Sequence, residues 1–422
     1  MKIKVQNKTY DEVMTLPRPK HKLPKKPNIL FRTLLRVLST PAVLSRHVKF
    51  NKVGMEKLGK KPCMILMNHS CFLDLKIASV LFADRPFNIV CTSDGFIGKP
   101  FLMHQLGCIP TQKFVSDTTL VRDIRHALNK NKTSVLMYPE ASYSFDGTAT
   151  PLPESIGKLL KLINVPVVTV ITHGAFAHDP LCNGLQHRIV DVSVDVTYLL
   201  SPDDLKQMTP DEINSRLSEV FSFDNFAWQI ENGIKITENF RSDGLNRVLY
   251  KCPHCNMEGQ MEGKGITLHC HACNTEYELT ENGKLSAPNA IFTHVPDWYA
   301  WERKCVREEI ENGTYNFETE VDICAVVDYK AVYRIGSGKL SHNSDGFHLT
   351  GCDGKLNYTQ SPLFSYGLYA DYFWYELGDV ICIGDKKCLY YCFPKGNSIV
   401  AKTRLAAEEL YKIKKSDKGD KQ

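Results

Sequence analysis

The chain has 422 residues, 43% of them hydrophobic and 23% charged, which suggests two to four folded domains of ordinary composition. No stretch approaches the roughly 18 consecutive apolar residues of a membrane-spanning helix, so we expect none. Met1 is not followed by an apolar segment of the kind found in secretory signals. We therefore expect a reducing compartment, with the 15 cysteines free or bound to metal.

The net charge of +5 is unevenly distributed along the chain. Residues 1–50 hold 12 Lys and Arg against two Asp and Glu, whereas the remainder holds 40 against 45. A basic end on a mildly acidic body predicts attraction to an anionic surface. A solvated leader without any partner explains the same composition equally well.

Residues 1–49 are predicted to form a basic leader followed by an amphipathic helix. Four prolines and five basic residues should keep segment 17–27 extended and solvated. Asn28 is suited to cap a helix that Pro41 should end or kink. Its apolar positions recur at helical spacing, at Leu30, Phe31, Leu34, Leu35 and Leu38. This helix is predicted to lie in a lipid headgroup layer, although it could instead pack on the next domain.

Residues 50–240 alternate between strand and helix patterns. Buried strands are predicted at 63–67, 88–91, 133–137 and 165–170, and helices near 71–83, 117–129 and 153–163. Residues 201–240 read as a helical connection. The alternation predicts an α/β domain with a mixed, largely parallel sheet flanked by helices.

The remainder of the chain predicts two further domains. Residues 250–285 form a compact cysteine-rich module. Residues 295–414 begin with a helix and become β-rich from about residue 320, with turns predicted at Gly336, Ser344, Cys352 and Gly384. A helix from Ser398 closes this domain, and residues 415–422 should be a disordered tail.

The first chemical pattern is His69 followed five residues later by Asp74, between a predicted strand and a helix. A neutral imidazole can accept a proton from an alcohol, and a carboxylate on its other nitrogen fixes the tautomer. The two side chains can meet if His69 lies in the turn before the helix. The alternative is a helix-capping arrangement, with Asp74 favouring the helix dipole.

Four motifs in order resemble those of the glycerolipid acyltransferase superfamily, of which the 1-acylglycerol-3-phosphate acyltransferases are the best-known members. The first is Asn68-His69 with Asp74, and the second ends at Lys113. The third is Tyr138-Pro-Glu-Ala-Ser-Tyr-Ser144, and the fourth is the apolar, proline-containing strand at 165–170. The resemblance covers about residues 25–200.

The resemblance implies transfer of a fatty acyl group from acyl-CoA or acyl-carrier protein to the hydroxyl of a lysophosphatidate-like lipid. His69 would be the general base, oriented by Asp74. Substrate-binding residues would be Asn68, Lys113, Glu140 and Ser142, with Lys113 on the phosphate and Glu140 on the glycerol.

Two positions of the third motif depart from the family pattern. Ala141 occupies the glycine position and Tyr143 the arginine position. The missing arginine leaves open a second hypothesis, a catalytically impaired lipid-binding scaffold with a partner-docking module. A zinc-ribbon adaptor explains the first 200 residues poorly.

The second chemical pattern consists of two Cys-x-x-Cys pairs separated by 14 residues, Cys252/Cys255 and Cys270/Cys273. This spacing predicts a structural four-cysteine zinc ribbon that leaves no ligand position for catalysis. The acidic bias after residue 50 argues against nucleic acid as a partner. The sequence thus predicts a cytoplasmic enzyme, peripheral at the inner face of a membrane, whose partners are the lipid surface, the acyl donor and a lysophospholipid acceptor.

Overall fold

A computed structural model of the chain describes residues 3–115, 117–396 and 400–419. The chain divides into two compact units. The first comprises Lys20–Asp179 and His187–Ile234, and the second the described parts of Met1–Pro19, Pro180–Gln186 and Lys235–Gln422. Within the described ranges, no helix is both long enough and apolar enough to cross a bilayer.

The strands are, in chain order, β1 Val5–Asn7, β2 Lys49–Val53, β3 Met64–Met67, β4 Phe87–Thr92, β5 Cys108–Thr111, β6 Ser134–Met137, β7 Val167–His173, β8 Ser193–Leu200, β9 Met261–Lys264, β10 Thr267–Cys270, β11 Glu276–Leu279, β12 Leu285–Ser286, β13 Phe317–Val326, β14 Val332–Asn343, β15 Gly346–Gly351, β16 Leu356–Gln360, β17 Tyr369–Trp374, β18 Gly378–Gly384 and β19 Leu389–Pro394. The α-helices are α1 Tyr10–Met14, α2 Ile29–Ser45, α3 Leu73–Leu81, α4 Pro100–Gln105, α5 Thr118–Asn129, α6 Ser155–Ile163, α7 Ala175–His178, α8 Pro202–Gln207, α9 Pro210–Val220, α10 Asn225–Glu231, α11 Val295–Glu311 and α12 Val400–Gly419.

The first unit is built on a seven-stranded sheet in the order β2-β8-β7-β3-β6-β4-β5. Five of its neighbouring pairs are parallel, and β7 with β8 is antiparallel. The central strand β3 is buried along its whole length, as expected for a strand covered on both faces. The sheet is therefore mixed and largely parallel, as the strand–helix alternation predicts.

The segment before this sheet differs from the predicted solvated leader. His21 pairs with the buried Asp123 at 2.9 Å, and the backbone carbonyls of Pro24 and Lys25 accept hydrogen bonds from Asn131 and Asn88. Residues 20–27 are therefore attached to the first unit. Buried polar groups need partners, and an extended proline-rich chain has free carbonyls to supply them.

Helix α2 runs through Pro41, where the sequence predicts an end or a kink. Proline lacks the N–H that would pair with the carbonyl of Val37. Val37 is exposed, so water can satisfy that carbonyl and the helix continues to Ser45. Asn28 caps the helix start as predicted, its side chain accepting a hydrogen bond from the Leu30 N–H.

The second unit contains a four-stranded antiparallel sheet, β9 to β12, formed by the cysteine-rich module. Its buried Tyr277 packs against Trp298 of α11, with ring centroids 5.0 Å apart. The Trp298 indole N–H donates to the carbonyl of Lys251 at 2.9 Å. The module therefore shares a core with α11 and does not stand alone.

The unit also contains a larger sheet in the order β16-β15-β14-β13-β19-β18-β17, in which all neighbouring strands are antiparallel. Helix α12 follows β19 in the chain. Strand β1 joins β14 in parallel, with Val5 opposite Val332. Strand β1 and α1 thus belong to this unit, although the sequence predicts one leader domain over residues 1–49. The β15 pairing of β14 begins only at Gly338, so the first residues of β14 have a free edge that can accept an extended segment, which residue patterns near position 5 do not reveal.

Two details of the β-rich domain correct the sequence prediction. Gly336 and Gly338 lie inside β14 and not in a turn. A Cβ on Gly338 would come within 2.1 Å of the Thr350 carbonyl oxygen, so only glycine fits there. Glycine here permits close strand approach. Helix α12 extends to residue 419, into the predicted disordered tail, and its predicted start at Ser398 lies outside the described residues.

Candidate active site and metal site

The predicted motif residues follow the carboxyl ends of neighbouring strands. Asn68 and His69 come directly after β3, Tyr138 follows β6, and Lys113 lies two residues after β5. Strands β3, β5, β6 and β7 run in the same direction, so these ends meet at one edge of the sheet. That edge is where open α/β sheets bind ligands.

The structure brings His69 and Asp74 together. The His69 Nδ1 lies 3.2 Å from Asp74 Oδ2. A carboxylate can only accept, so Nδ1 carries the proton and Nε2 keeps its lone pair for a substrate. This is the orientation that a general base requires.

The same carboxylate also holds the backbone of the turn that precedes α3. Asp74 Oδ2 accepts hydrogen bonds from the backbone N–H groups of Ser70 at 2.7 Å and Cys71 at 3.0 Å, and Asp74 is fully buried. Asp74 lies in the first turn of α3, as the capping alternative expects, but its hydrogen bonds are to the turn that carries His69. These hydrogen bonds fix the carboxylate that orients His69.

Two tyrosine rings enclose the His69 imidazole. Tyr138 stacks on it with centroids 3.9 Å apart, and Tyr143 lies at 4.1 Å on a tilted plane. The His69 side chain keeps 18% of its surface exposed. Burial lowers the pKa of His69 below its usual 6.5, against the hydrogen bond and charge of Asp74, which raise it. The imidazole is thus neutral near pH 7.

Glu140 holds the backbone of this turn. Its Oε2 accepts from the His69 N–H at 2.9 Å, and its Oε1 accepts from the Thr150 N–H at 2.8 Å and the Thr150 hydroxyl at 3.2 Å. Burial raises the pKa of Glu140 to about 7, while the Thr150 and His69 N–H groups lower it. Glu140 is 1% exposed, so its contacts favour positioning of His69 over direct contact with a glycerol.

The other predicted substrate-binding residues, Asn68, Ser142 and Lys113, differ in how far they are buried. Asn68 is buried and connects β3 to β7, donating to the Thr172 carbonyl at 3.0 Å and accepting from the Thr172 N–H at 2.8 Å. Ser142 is buried as well. Lys113 is partly exposed, with its ammonium 6.0 Å from the Tyr143 ring centroid. Only Lys113 of these three has a cation to offer a phosphate.

Sequence reasoning did not single out Thr172 or Thr150. The Thr172 hydroxyl lies 3.4 Å from Asp74 Oδ1 and 3.1 Å from Asn68 Oδ1. The one sequence signal that could have identified Thr172 is its position near the end of the proline-containing strand. Thr150 lies ten residues beyond Glu140 in an irregular segment, and no pattern marks it.

Two further motif positions, Ala141 and Cys71, can be judged from their conformation and burial. Ala141, at the glycine position, has φ +57°, a left-handed conformation that favours glycine. Cys71 is buried and its thiol donates to the Ala175 carbonyl at 3.1 Å. Burial raises the pKa of the Cys71 thiol well above its usual value, which disfavours the nucleophilic thiolate form.

The four predicted metal-ligating cysteines form one cluster in the second unit. Their sulfur atoms all lie within 4.8 Å of one another, with Cys252 to Cys273 at 3.6 Å and Cys255 to Cys270 at 3.7 Å. A tetrahedral ion with Zn–S bonds of about 2.3 Å separates its sulfurs by about 3.8 Å. The cluster therefore has the dimensions of a metal site.

The backbone supports the same conclusion, because the two Cys-x-x-Cys loops are alike. In each loop, the backbone carbonyl of the first cysteine accepts a hydrogen bond from the backbone N–H of an asparagine four residues later. These asparagines are Asn256 and Asn274, and their φ values are +60° and +58°. The nearby His254 and His271 are engaged by Tyr277 and Glu262. Four thiols remain as the ligand set.

Comparison with known proteins finds one family model that matches part of the first unit. Residues 49–173 match the Acyltransferase family model. Among similar solved structures is the 1-acyl-sn-glycerophosphate (LPA) acyltransferase PlsC of Thermotoga maritima, at 15% identity and a TM-score of 0.37, covering 45% of this chain and 76% of PlsC. No curated protein matches the chain.

Proposed function

We propose that the chain is a glycerolipid acyltransferase that moves a fatty acyl group from a thioester to the hydroxyl of a lysophosphatidate-like acceptor. The observation that carries the proposal is the His69–Asp74 pair, at the carboxyl edge of the sheet in a segment that matches the Acyltransferase model. The order of the four motifs supports the same substrate class.

The reaction would be a single displacement. His69 Nε2 takes the acceptor's hydroxyl proton, and the oxygen attacks the thioester carbonyl. The tetrahedral intermediate then expels the thiolate, and His69 gives its proton to that thiolate to form the free thiol. Asp74 holds Nδ1–H throughout and stabilises the imidazolium. The faces of Tyr138 and Tyr143 are well placed to stabilise that cation as well.

The acceptor's phosphate would meet Lys113. Lysine supplies a point charge, whereas the arginine of the family pattern supplies a two-pronged fork that Tyr143 cannot replace. Tyr143 instead covers the imidazole. We therefore expect weaker preference for a phosphate monoester than a two-cation site would give.

One observation favours the alternative of an impaired lipid-binding scaffold. Tyr143 stacks at 4.1 Å on the group that must meet the substrate, so acceptor binding requires the remaining exposed edge of His69 or a movement of Tyr143. The intact hydrogen bond from His69 to Asp74 favours the enzyme.

An acceptor panel distinguishes the two hypotheses. Purified full-length protein is incubated with acyl-CoA or acyl-carrier protein and with lysophospholipids of different headgroups, and the products are identified by mass spectrometry. The enzyme predicts diacyl product with at least one acceptor, above a reaction without protein. Binding of lysophospholipid without diacyl product from any donor would establish the scaffold.

The pH dependence follows from the lowered pKa of His69. The neutral imidazole is the active form, so the midpoint of the acid limb of kcat/KM should lie below pH 6.5. Glu140 adds a separate change near pH 7, which Glu140→Gln would remove. An acid limb whose midpoint lies above pH 6.5 and persists in Glu140→Gln would contradict His69 as the base.

The four-cysteine cluster is proposed to hold a structural Zn²⁺. Cys252, Cys255, Cys270 and Cys273 would fill all four positions, leaving none for substrate. The metal would join the loop before β9, which carries Cys252 and Cys255, to the end of β10 and the turn between β10 and β11, where Cys270 and Cys273 lie.

We also propose that α2 contacts the membrane surface. Large aliphatic side chains at least half exposed lie along this helix at Ile29, Leu30, Leu34, Val37, Leu38 and Leu44. Phe101 of α4, also exposed, extends this apolar surface beside Phe31, with ring centroids 6.0 Å apart. The basic residues of segment 20–27 precede it, which suits anionic headgroups.

Charge on the exposed face of α2 should weaken membrane binding. Leu34→Glu with Leu38→Glu should lower partitioning to phosphatidylglycerol-containing vesicles at least tenfold, because each buried leucine contributes roughly 1.5–3 kcal/mol. Sedimentation with vesicles measures the effect. Leu162→Glu, at an exposed position of α6 in the same unit, is the control. Equal partitioning of the double variant and the wild type would remove α2 from the membrane contact.

A further inference from the structure

We propose that His178, Asp179 and His187 form a second metal site, for a divalent transition-metal ion such as Zn²⁺, next to the His69–Asp74 turn. One potential ligand atom from each residue lies within 4.8 Å of the others. All three residues belong to the first unit. We call this group the His–Asp–His cluster.

The histidine at the centre of the cluster is already oriented as a ligand. His178 is buried, and its Nδ1 lies 2.8 Å from the carbonyl oxygen of Arg188. A carbonyl only accepts, so Nδ1 carries the proton and Nε2 has a free lone pair. Metal-binding histidines are held in this way, by a hydrogen bond from the other ring nitrogen to a backbone carbonyl or carboxylate.

Asp179 provides the second, independent observation. The residue is 7% exposed, and among the described residues its Oδ1 has no hydrogen-bond partner. Leaving a buried acceptor unpaired costs about 1–3 kcal/mol, and more for a charged group. Its other oxygen, Oδ2, lies 4.0 Å from Nδ1 of His187. A cation bound by the carboxylate and both imidazoles would satisfy this group.

His187 closes the site from the surface. Its ring stacks on that of His178 with centroids 5.1 Å apart, and its side chain is 69% exposed. Ligand atoms around a tetrahedral ion with bonds of about 2.0–2.1 Å are about 3.3 Å apart. His187 would move toward Asp179 by less than about 1 Å, which an exposed side chain can do.

The ligand types limit the choice of ion. Two imidazoles and one carboxylate suit borderline divalent ions and leave a position for water or a fourth ligand. Lys76 and Arg46 oppose a cation here, and Asp74 adds negative charge. The thiol of Cys71 is within hydrogen-bonding reach of Asp179, so a bound ion would brace the turn that carries His69.

Zinc stoichiometry tests this proposal without reference to acyl transfer. Full-length protein is loaded with excess ZnCl₂, desalted, and its zinc measured by elemental analysis. We expect about two ions in the wild type, one in each cluster, and about one after His187→Ala. His47→Ala is the matched control, because His47 also pairs with a carboxylate, Asp191 at 2.8 Å, and should keep two.

Two results would overturn the second site. The first is a wild type that retains one zinc ion, and the second is equal zinc in the wild type and His187→Ala. Either would reduce the cluster to a histidine–carboxylate pair. Because His187 is exposed, its replacement should not unfold the protein, and an unchanged thermal midpoint without zinc checks this.

Discussion

Replacement of His69 with alanine is expected to lower kcat by about 10²–10⁴-fold, the usual contribution of a general base. Asp74→Asn should reduce kcat by a similar order. An amide would donate to Nδ1, forcing the proton onto Nε2 and leaving no lone pair for the acceptor. Both effects should appear in kcat more than in KM, because the proton moves only in the chemical step. Initial rates with a saturating acceptor measure them.

The control for this series is His47→Ala, an exposed histidine paired with Asp191 in the same unit. It should leave kcat unchanged. Asp74 also holds the turn before α3 through the N–H groups of Ser70 and Cys71, so thermal midpoints must accompany the rates. A correctly folded His69→Ala protein that keeps the wild-type rate would show that another group takes the proton.

Replacement of Cys252 and Cys270 with serine is expected to remove one zinc ion per chain and to destabilise the second unit strongly. Zinc-finger peptides gain about 10–16 kcal/mol of apparent binding energy from their metal. Some of that loss should be offset here, because Tyr277 and Trp298 keep their contact. Elemental analysis and limited proteolysis within residues 250–285 provide the measurements.

Cys305→Ser is the matched control for the metal experiment. Cys305 lies in α11 of the same unit, outside the four-cysteine cluster. It should keep its zinc and its resistance to protease. Zinc content unchanged by the double replacement would show that the four thiols are not the ligands.

The elements of the first unit could be predicted because their signals are local. Strands β3, β4, β6 and β7 are apolar runs, and α3, α5 and α6 start within two residues of the predicted positions. The contact of His69 with Asp74 could be anticipated as well, since a turn before a helix brings such positions together. These features could be predicted because the residues that form them lie close together in the sequence.

The contacts of Glu140 could not be predicted, because they depend on the chain's path far from the motif. Its partners are the backbone N–H groups of His69, 71 residues earlier, and of Thr150, in a segment without regular structure. Any residue type can supply a backbone N–H. The enclosure of His69 by Tyr143 escaped prediction for the same reason, since only packing decides which way that ring turns.

The division into units also depends on long-range contacts. Strand β1 pairs with β14, more than 300 residues later, and no charge or proline pattern near residue 5 signals that pairing. His178 ends α7, whereas His187 lies in an irregular segment beyond residues 180–186, and neither belongs to a recognisable motif. Only the fold brings His187 to His178 and Asp179.

The most direct test of the central claim is acyl transfer from a labelled thioester to lysophosphatidate by wild-type protein and His69→Ala, at equal folded concentration in detergent micelles. The claim predicts labelled diacyl lipid from the wild type, and formation at least a hundredfold slower from the variant. Equal rates from the two proteins, or labelled free fatty acid as the wild type's only product, would contradict it.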